Sequence, residues 1–225
     1  MASKAKTRAA RIPLTYVVAL VPVAAALNIV GGTIRSALQL PIFLDMIGTA
    51  VTAIVLGPWW GALVGAITNI VNSFLSGPIS LPFAVVNVVG ALVWGYGHRW
   101  GWGKTNVGFF LLNILVAFLC SVTAVPIYVF IFGGATGHFS DVMTAAFLAM
   151  GQNLIVSVFS SNILVSLADK IISGYVALAI IEALPANLTQ NLMLPKAEGL
   201  NRIILPVVGV VIGVAVMLIA IAVAN

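Results

Sequence analysis

The chain has 225 residues, 62% of them hydrophobic and only 7% charged, with a formal net charge of +5. Soluble globular domains carry about 25% charged residues, so this composition excludes an ordinary soluble domain and points to an integral membrane protein. The basic residues form no face that could grip nucleic acid, and a single cysteine, Cys120, excludes a disulfide framework.

The chain opens with MASKAKTRAAR, which sets Lys4, Lys6, Arg8 and Arg11 ahead of an apolar run. A signal peptide begins the same way, and Ala24 and Ala26 offer an A-x-A site, but more membrane follows rather than a soluble domain. A retained first helix is therefore expected, with 1–12 as a basic cytoplasmic terminus. Crossing the hydrocarbon core takes roughly 20 apolar residues, fewer where a segment borders a cavity. On that measure the expected spans are 13–33, 42–56, 59–76, 82–98, 107–132, 169–185 and 203–224.

The second and third spans hold the most informative stretch. Asp45 sits among Phe43, Leu44, Met46 and Ile47. A carboxylate in such a setting is costly unless it is paired, faces a polar cavity or lies near water, which makes it a functional candidate. Thr49 and Thr52 follow it at helical spacing. Gly57, Gly61 and Gly65 then form a small-residue ridge that permits close helix approach. Asn69, Asn72 and Ser76 continue a second polar stripe, and intramembrane Asn and Thr of this kind also serve simply to hold helices together. Trp59, Trp60, Trp94, Trp100 and Trp102 fall near expected cytoplasmic ends and suit an interfacial aromatic belt.

Segment 133–168 is apolar enough to tempt a further crossing, yet it carries Asp141, Gln152, Asn153, Ser157, Ser160, Ser161 and Asn162. The positive-inside rule favours keeping it external or re-entrant. Arg99, Lys104, Lys196 and Arg202 then join the basic N-terminus on the cytoplasmic side. Residues 186–202 become a cytoplasmic loop and 203–225 a final crossing. The sixth span is expected to open with Asp169 and Lys170 at its outer end. Neighbours on a helix point about 100° apart, so these two are not expected to face one spot.

His98 and His138 fall on opposite expected sides and cannot share a metal ion. No Ser-His-acid or Cys-His set gathers on one side, and no phosphate-binding loop motif occurs. The chain therefore reads as a non-enzyme with no cofactor of its own.

Taken together, the run FLD, then GPWWGALVG ending in Asn69 and Asn72, then SLPFAVVNVVGALVWG, TAVPIYVF and LADKIISGYVAL, resembles the substrate-binding S components of energy-coupling factor (ECF) transporters. The order and spacing of these pieces over about residues 14–185 carry the resemblance. It implies an all-α polytopic membrane protein with a six-helix core over 13–185 and an additional C-terminal transmembrane helix over 203–225. It also implies a high-affinity binding subunit of an ATP-driven importer in the bacterial cytoplasmic membrane, N-terminus cytoplasmic. The partners so implied are a small-molecule vitamin, a transmembrane coupling subunit and two ABC-type ATPases.

Candidate ligand contacts are Arg35, Asp45, Asn72, Asn87, Tyr128, Asp169 and Lys170. Among them Asn87, Tyr128 and the turn bearing Asp169 and Lys170 are carried over from the resemblance. The docking face expected on the first helix is Ala19, Ala24, Ala25 and Ala26, in place of the family's A-x-x-x-A. Flavins, cobalamin, pyridoxine and queuosine-like precursors all stay open as substrate, while the lack of outer tryptophan argues against thiamine. Two other classes compete: a membrane sensor or assembly protein on the same fold, and a stand-alone secondary transporter, which should show an internal repeat.

Overall fold

The computed structural model describes residues 13–195 and 199–224, and among these the regular secondary structure is helical without any strand. Lys4, Lys6, Arg8, Arg11 and Lys196 lie outside the described residues, as does the side chain of Arg202. Among the described residues nine α-helices run in chain order: α1 Leu14–Leu38, α2 Ile47–Val55, α3 Pro58–Leu75, α4 Ala84–Arg99, α5 Asn106–Pro126, α6 Ser140–Ala149, α7 Leu154–Ala183, α8 Ala186–Thr189 and α9 Asn201–Ala224. Four helical stretches among the described residues are long and apolar enough to cross a membrane by themselves: Leu14–Leu38, Asn106–Ile131, Leu154–Ala183 and Ile203–Ala222. The protein is thus a multi-pass all-α membrane protein.

The centre of the bundle is α2. Every one of its residues is buried, as expected for a helix that is apolar all round. Its nine residues span only about 14 Å at 1.5 Å per residue, so it covers less than half of a hydrocarbon core of roughly 30 Å. The preceding residues, 39–46, make no helix and run down beside α1 and α7. Irregular backbone at membrane depth is tolerated where protein or a cavity surrounds it and satisfies its polar groups. Here Asp169 accepts hydrogen bonds from the amides of Phe43 (3.1 Å) and Leu44 (2.7 Å). Leu44 takes a left-handed φ of 56°, unusual for a branched residue, and these bonds hold it there.

A buried polar knot ties four helices together below this segment. Asn28 of α1 donates to Thr49 of α2 (2.9 Å) and Thr68 of α3 (3.0 Å), and accepts from the amide of Gly48 (2.7 Å). Thr49 in turn donates to Asn87 of α4 (2.8 Å). In a low-dielectric interior such satisfied networks fix one arrangement of helices. The small-residue ridge works inside the fold: Gly61 admits Ala53 and Gly65 admits Asn87. Gly57, with φ of 132°, caps the α2–α3 turn against Arg99, which donates to the Gly95 carbonyl (3.0 Å).

Three expectations are corrected here. The sixth segment does not begin at Asp169: α7 starts at Leu154 and runs unbroken for 30 residues, about 45 Å, so the stretch 154–168 belongs to it. Two of the polar residues that argued against a crossing are satisfied inside the bundle: Ser161 bonds Thr144 of α6, and Asn162 accepts from Ser166. Trp94 is not an interfacial anchor but is fully buried, donating to Asn113 of α5 (2.8 Å). Finally, Ala24 and Ala25 are buried, at 3% and 4% exposure, because the Ala24 backbone packs on Gly48. Only Ala19 and Ala26 of the expected docking face point outward.

The final helix, α9, lies along α7. Gly209 makes room for the Tyr175 ring, and Gly213 for Ile172 and the carbonyl of Ala168. Farther along, Val216 and Met217 pack with Ile42, Leu44 and Ile172, and Ala220 with Met143 and Val165.

Candidate functional site

One cavity opens among the C-terminal turns of α1 and α3, the start of α4, the end of α5 and the middle of α7. The space it offers to the centres of water-sized molecules is about 170 Å³, many times the roughly 10–15 Å³ that a single water needs. Its wall includes Arg35, Asp45, Asn72, Asn87, Tyr128 and Lys170, which the chain draws from α1, the 39–46 segment, α3, α4, α5 and α7.

Each is brought there by a local cause. Arg35 is in the last turn of α1. Asp45 precedes α2 by two residues and is half-buried, its carboxylate open to the cavity. Across the gap left by Gly32, Asn72 approaches Asp45: a Cβ on Gly32 would sit 3.9 Å from both the Asn72 Nδ2 and the Asp45 Cβ. Asn87 is pinned by its bonds to Thr49 and to the Asp45 carbonyl (3.3 Å), so it shapes the wall more than it offers free groups. Tyr128 lies in a π-helical turn, Ile127–Ile131, that continues α5 beyond Pro126. Proline cannot donate the helical hydrogen bond, and the wider turn that follows is a geometry found often at functional sites.

Asp169 is the exception among the predicted contacts. It is fully buried behind the wall and does not line the cavity. Its two oxygens are committed to the Phe43 and Leu44 amides and to an ion pair with Lys170. The lysine stem is long enough to bend across the 100° offset that separates adjacent residues, so the two charges do meet. Lys170 then faces the cavity with its ammonium 5.4 Å from the centre of the Phe43 ring, within cation–π range. Both residues lie in the middle of α7, not at its outer end.

Other lining residues carry signals that were open to reading. Asn162, Ser166 and Lys170 recur at i, i+4 and i+8 on one face of α7, a spacing visible once 154–183 is taken as one helix. Asn69 and Ser76 belong to the stripe that contains Asn72, and both line the cavity. Phe83 supplies an aromatic surface stacked on Phe132 (5.8 Å) and tilted against Tyr128 (5.0 Å). His138 stacks on Phe43 (4.7 Å) while its ring nitrogens engage Ser140 (3.1 Å) and the Ile42 carbonyl (3.3 Å). Burial, reinforced by the nearby Arg35 charge, pushes the His138 imidazole down to about 4 from its ordinary 6.5.

Among the described residues no cluster of His, Cys, Asp or Glu is arranged to hold a metal ion. Cys120 is buried and forms part of the apolar wall near Ala124 and Val86, its thiol 3.6 Å from the Val86 carbonyl. Chemically the cavity combines an apolar side with a ring of hydrogen-bonding groups, the usual composition of a site that encloses one small polar molecule. Searches with family models, curated proteins and solved structures return no match for this chain.

Proposed function

We propose that the protein is the substrate-binding subunit of an ATP-driven vitamin or cofactor-precursor importer of the energy-coupling factor type. One observation carries the reading: polar residues scattered over 135 positions, from Arg35 to Lys170, converge on a single enclosed cavity in a membrane-embedded bundle. Nothing in packing requires that convergence, because each polar group could bridge helices separately. The sequence resemblance supplies the class, and the same residues that carried it, Asn87, Tyr128 and Lys170, stand on the wall. In this reading the N-terminus is cytoplasmic, the bundle corresponds to the six-helix core with α9 added, and the cavity opens to the outside. Flavins, cobalamin, pyridoxine and queuosine-like precursors remain the substrate classes considered.

A second reading is favoured by a different observation. Broken segments beside a short helix, such as 39–46 followed by α2, are also the way stand-alone secondary transporters build substrate sites. Purification from native membranes separates the two. Co-purification of a coupling subunit with two ATPases, and ATP-dependent uptake only when they are present, is the expected result. Concentrative uptake by this chain alone would overturn the assignment.

A further inference from the structure

The charges on the cavity wall point to the ligand's own charge pattern. The Asp169–Lys170 ion pair is internally balanced. That leaves Arg35 and Asp45 on the wall, a cation and an anion, neither within ion-pairing distance of an opposite charge. The Arg35 Nε is buried and has no hydrogen-bond partner. Arg35 shares the cavity wall with Asp45, Tyr128 and His138. Beside Asp45, the Asn72 amide reaches toward the same spot across Gly32.

While the cavity is hydrated, water can serve both charges. A ligand that fills it displaces that water, and a charge left buried without a partner is strongly unfavourable. A purely cationic ligand would satisfy Asp45 and strand Arg35, and a purely anionic one would do the reverse. An uncharged ligand would leave both groups with weaker partners than the water they lost. Resting on the binding-subunit reading, we propose that the cavity takes a zwitterion: a small ring-bearing molecule whose cationic nitrogen sits on Asp45 and whose anionic oxygens sit on Arg35. The apolar side formed by Phe83, Val86 and Ala124 receives the ring between them.

Three probes that share one ring separate the possibilities: 4-(aminomethyl)benzoate, benzylamine and benzoate. Each is titrated into the purified, detergent-solubilised protein by equilibrium dialysis, with thermal midpoints as a second readout. The zwitterionic probe should bind at least about tenfold more tightly than either singly charged one. Asp45→Asn and Arg35→Gln should each remove that advantage, since one missing charge-assisted bond corresponds to about tenfold or more. Neither residue has an ion-pair partner to strand, and unchanged midpoints of the unliganded variants verify that both fold. Equal or tighter binding of benzylamine or benzoate, an advantage that survives both substitutions, or no binding of any probe overturns the proposal. The importer reading fails separately. Zwitterion binding without ATPase partners removes that reading and leaves the charge pattern, whereas ATP-dependent uptake of a singly charged substrate does the opposite.

Discussion

At the scale of single residues, the site depends on groups that never touch the cavity's contents. Asp169 shows the logic: its carboxylate satisfies two amides of an unwound segment and one ammonium, so it is a positioning residue for both Phe43 and Lys170. His138, itself on the cavity wall, also supports Phe43, stacking on its ring and engaging the Ile42 carbonyl. Its imidazole is held neutral in the fold down to about 4, whereas in the unfolded chain it protonates near 6.5. Between those values the unfolded state binds more protons than the folded one. The contribution is therefore fully present above pH 6.5 and is lost as pH falls from about 6.5 toward 4, where the loss is complete. At 1.36 kcal/mol per pKa unit this is a loss of about 3 kcal/mol. His138→Gln should flatten that part of the profile, and the check is the difference between wild-type and variant thermal midpoints across pH 4–7. Parallel profiles would mean that His138 is solvated or charged in the native protein.

At the scale of elements, α9 matters to the site although it lines none of it. Val216 and Met217 back Ile42 and Leu44, while the opposite side of the same short segment presents Phe43 and Asp45 to the cavity. Gly213→Leu would drive a side chain into Ile172 and the Ala168 carbonyl and push α9 away from α7. The expected result is faster amide hydrogen exchange at Phe43 and Leu44, by at least about tenfold, equivalent to about 1.4 kcal/mol of local opening. Exchange in the buried part of α5, around Leu112 and Val116, should stay unchanged, and acceleration there as well would mean general unfolding instead. This support was only half legible in the sequence. The Gly209 and Gly213 spacing is in itself a sequence signal for close helix packing, but the surface it meets lies in a segment read as two pieces. The same limit hid Asn28: a lone asparagine in an apolar run says nothing of Thr49 and Thr68, which only tertiary folding brings to it. By contrast Asp45 and Asn72 stood out because a polar group in a membrane segment is expensive wherever the helix turns out to lie, whereas Tyr128 entered only through the family resemblance. Segment 39–46 was not legible, since the acceptor that makes its irregular backbone tolerable is more than 120 residues away.

At the scale of the whole molecule, the proposed transport cycle requires that a partner supply work, because a binding equilibrium indifferent to energy input cannot both capture substrate and release it uphill. The partner needs a surface, and the burial of α1 restricts where it can be. Ala24 and Ala25 face inward against α2, so bulk at either position should collide with the α1–α2 contact. Ala19 and Ala26 face outward, with the exposed Pro22 between them on the same side of the helix. Small residues let two helix backbones approach closely in a membrane, where packing rather than hydrophobicity drives association. This arrangement predicts a split between neighbours. Ala26→Trp should leave the thermal midpoint and ligand binding unchanged while abolishing ATP-dependent uptake and co-purification of the coupling subunit. Ala25→Trp should lower the midpoint and weaken binding as well, since overpacking a tight contact commonly costs about 1–3 kcal/mol. The measurement is uptake in vesicles that hold the chain, the coupling subunit and both ATPases, paired with binding by the chain alone. Normal uptake by Ala26→Trp would move the docking surface off this face of α1, because an exposed tryptophan at a helix–helix contact of small residues leaves no room for the partner.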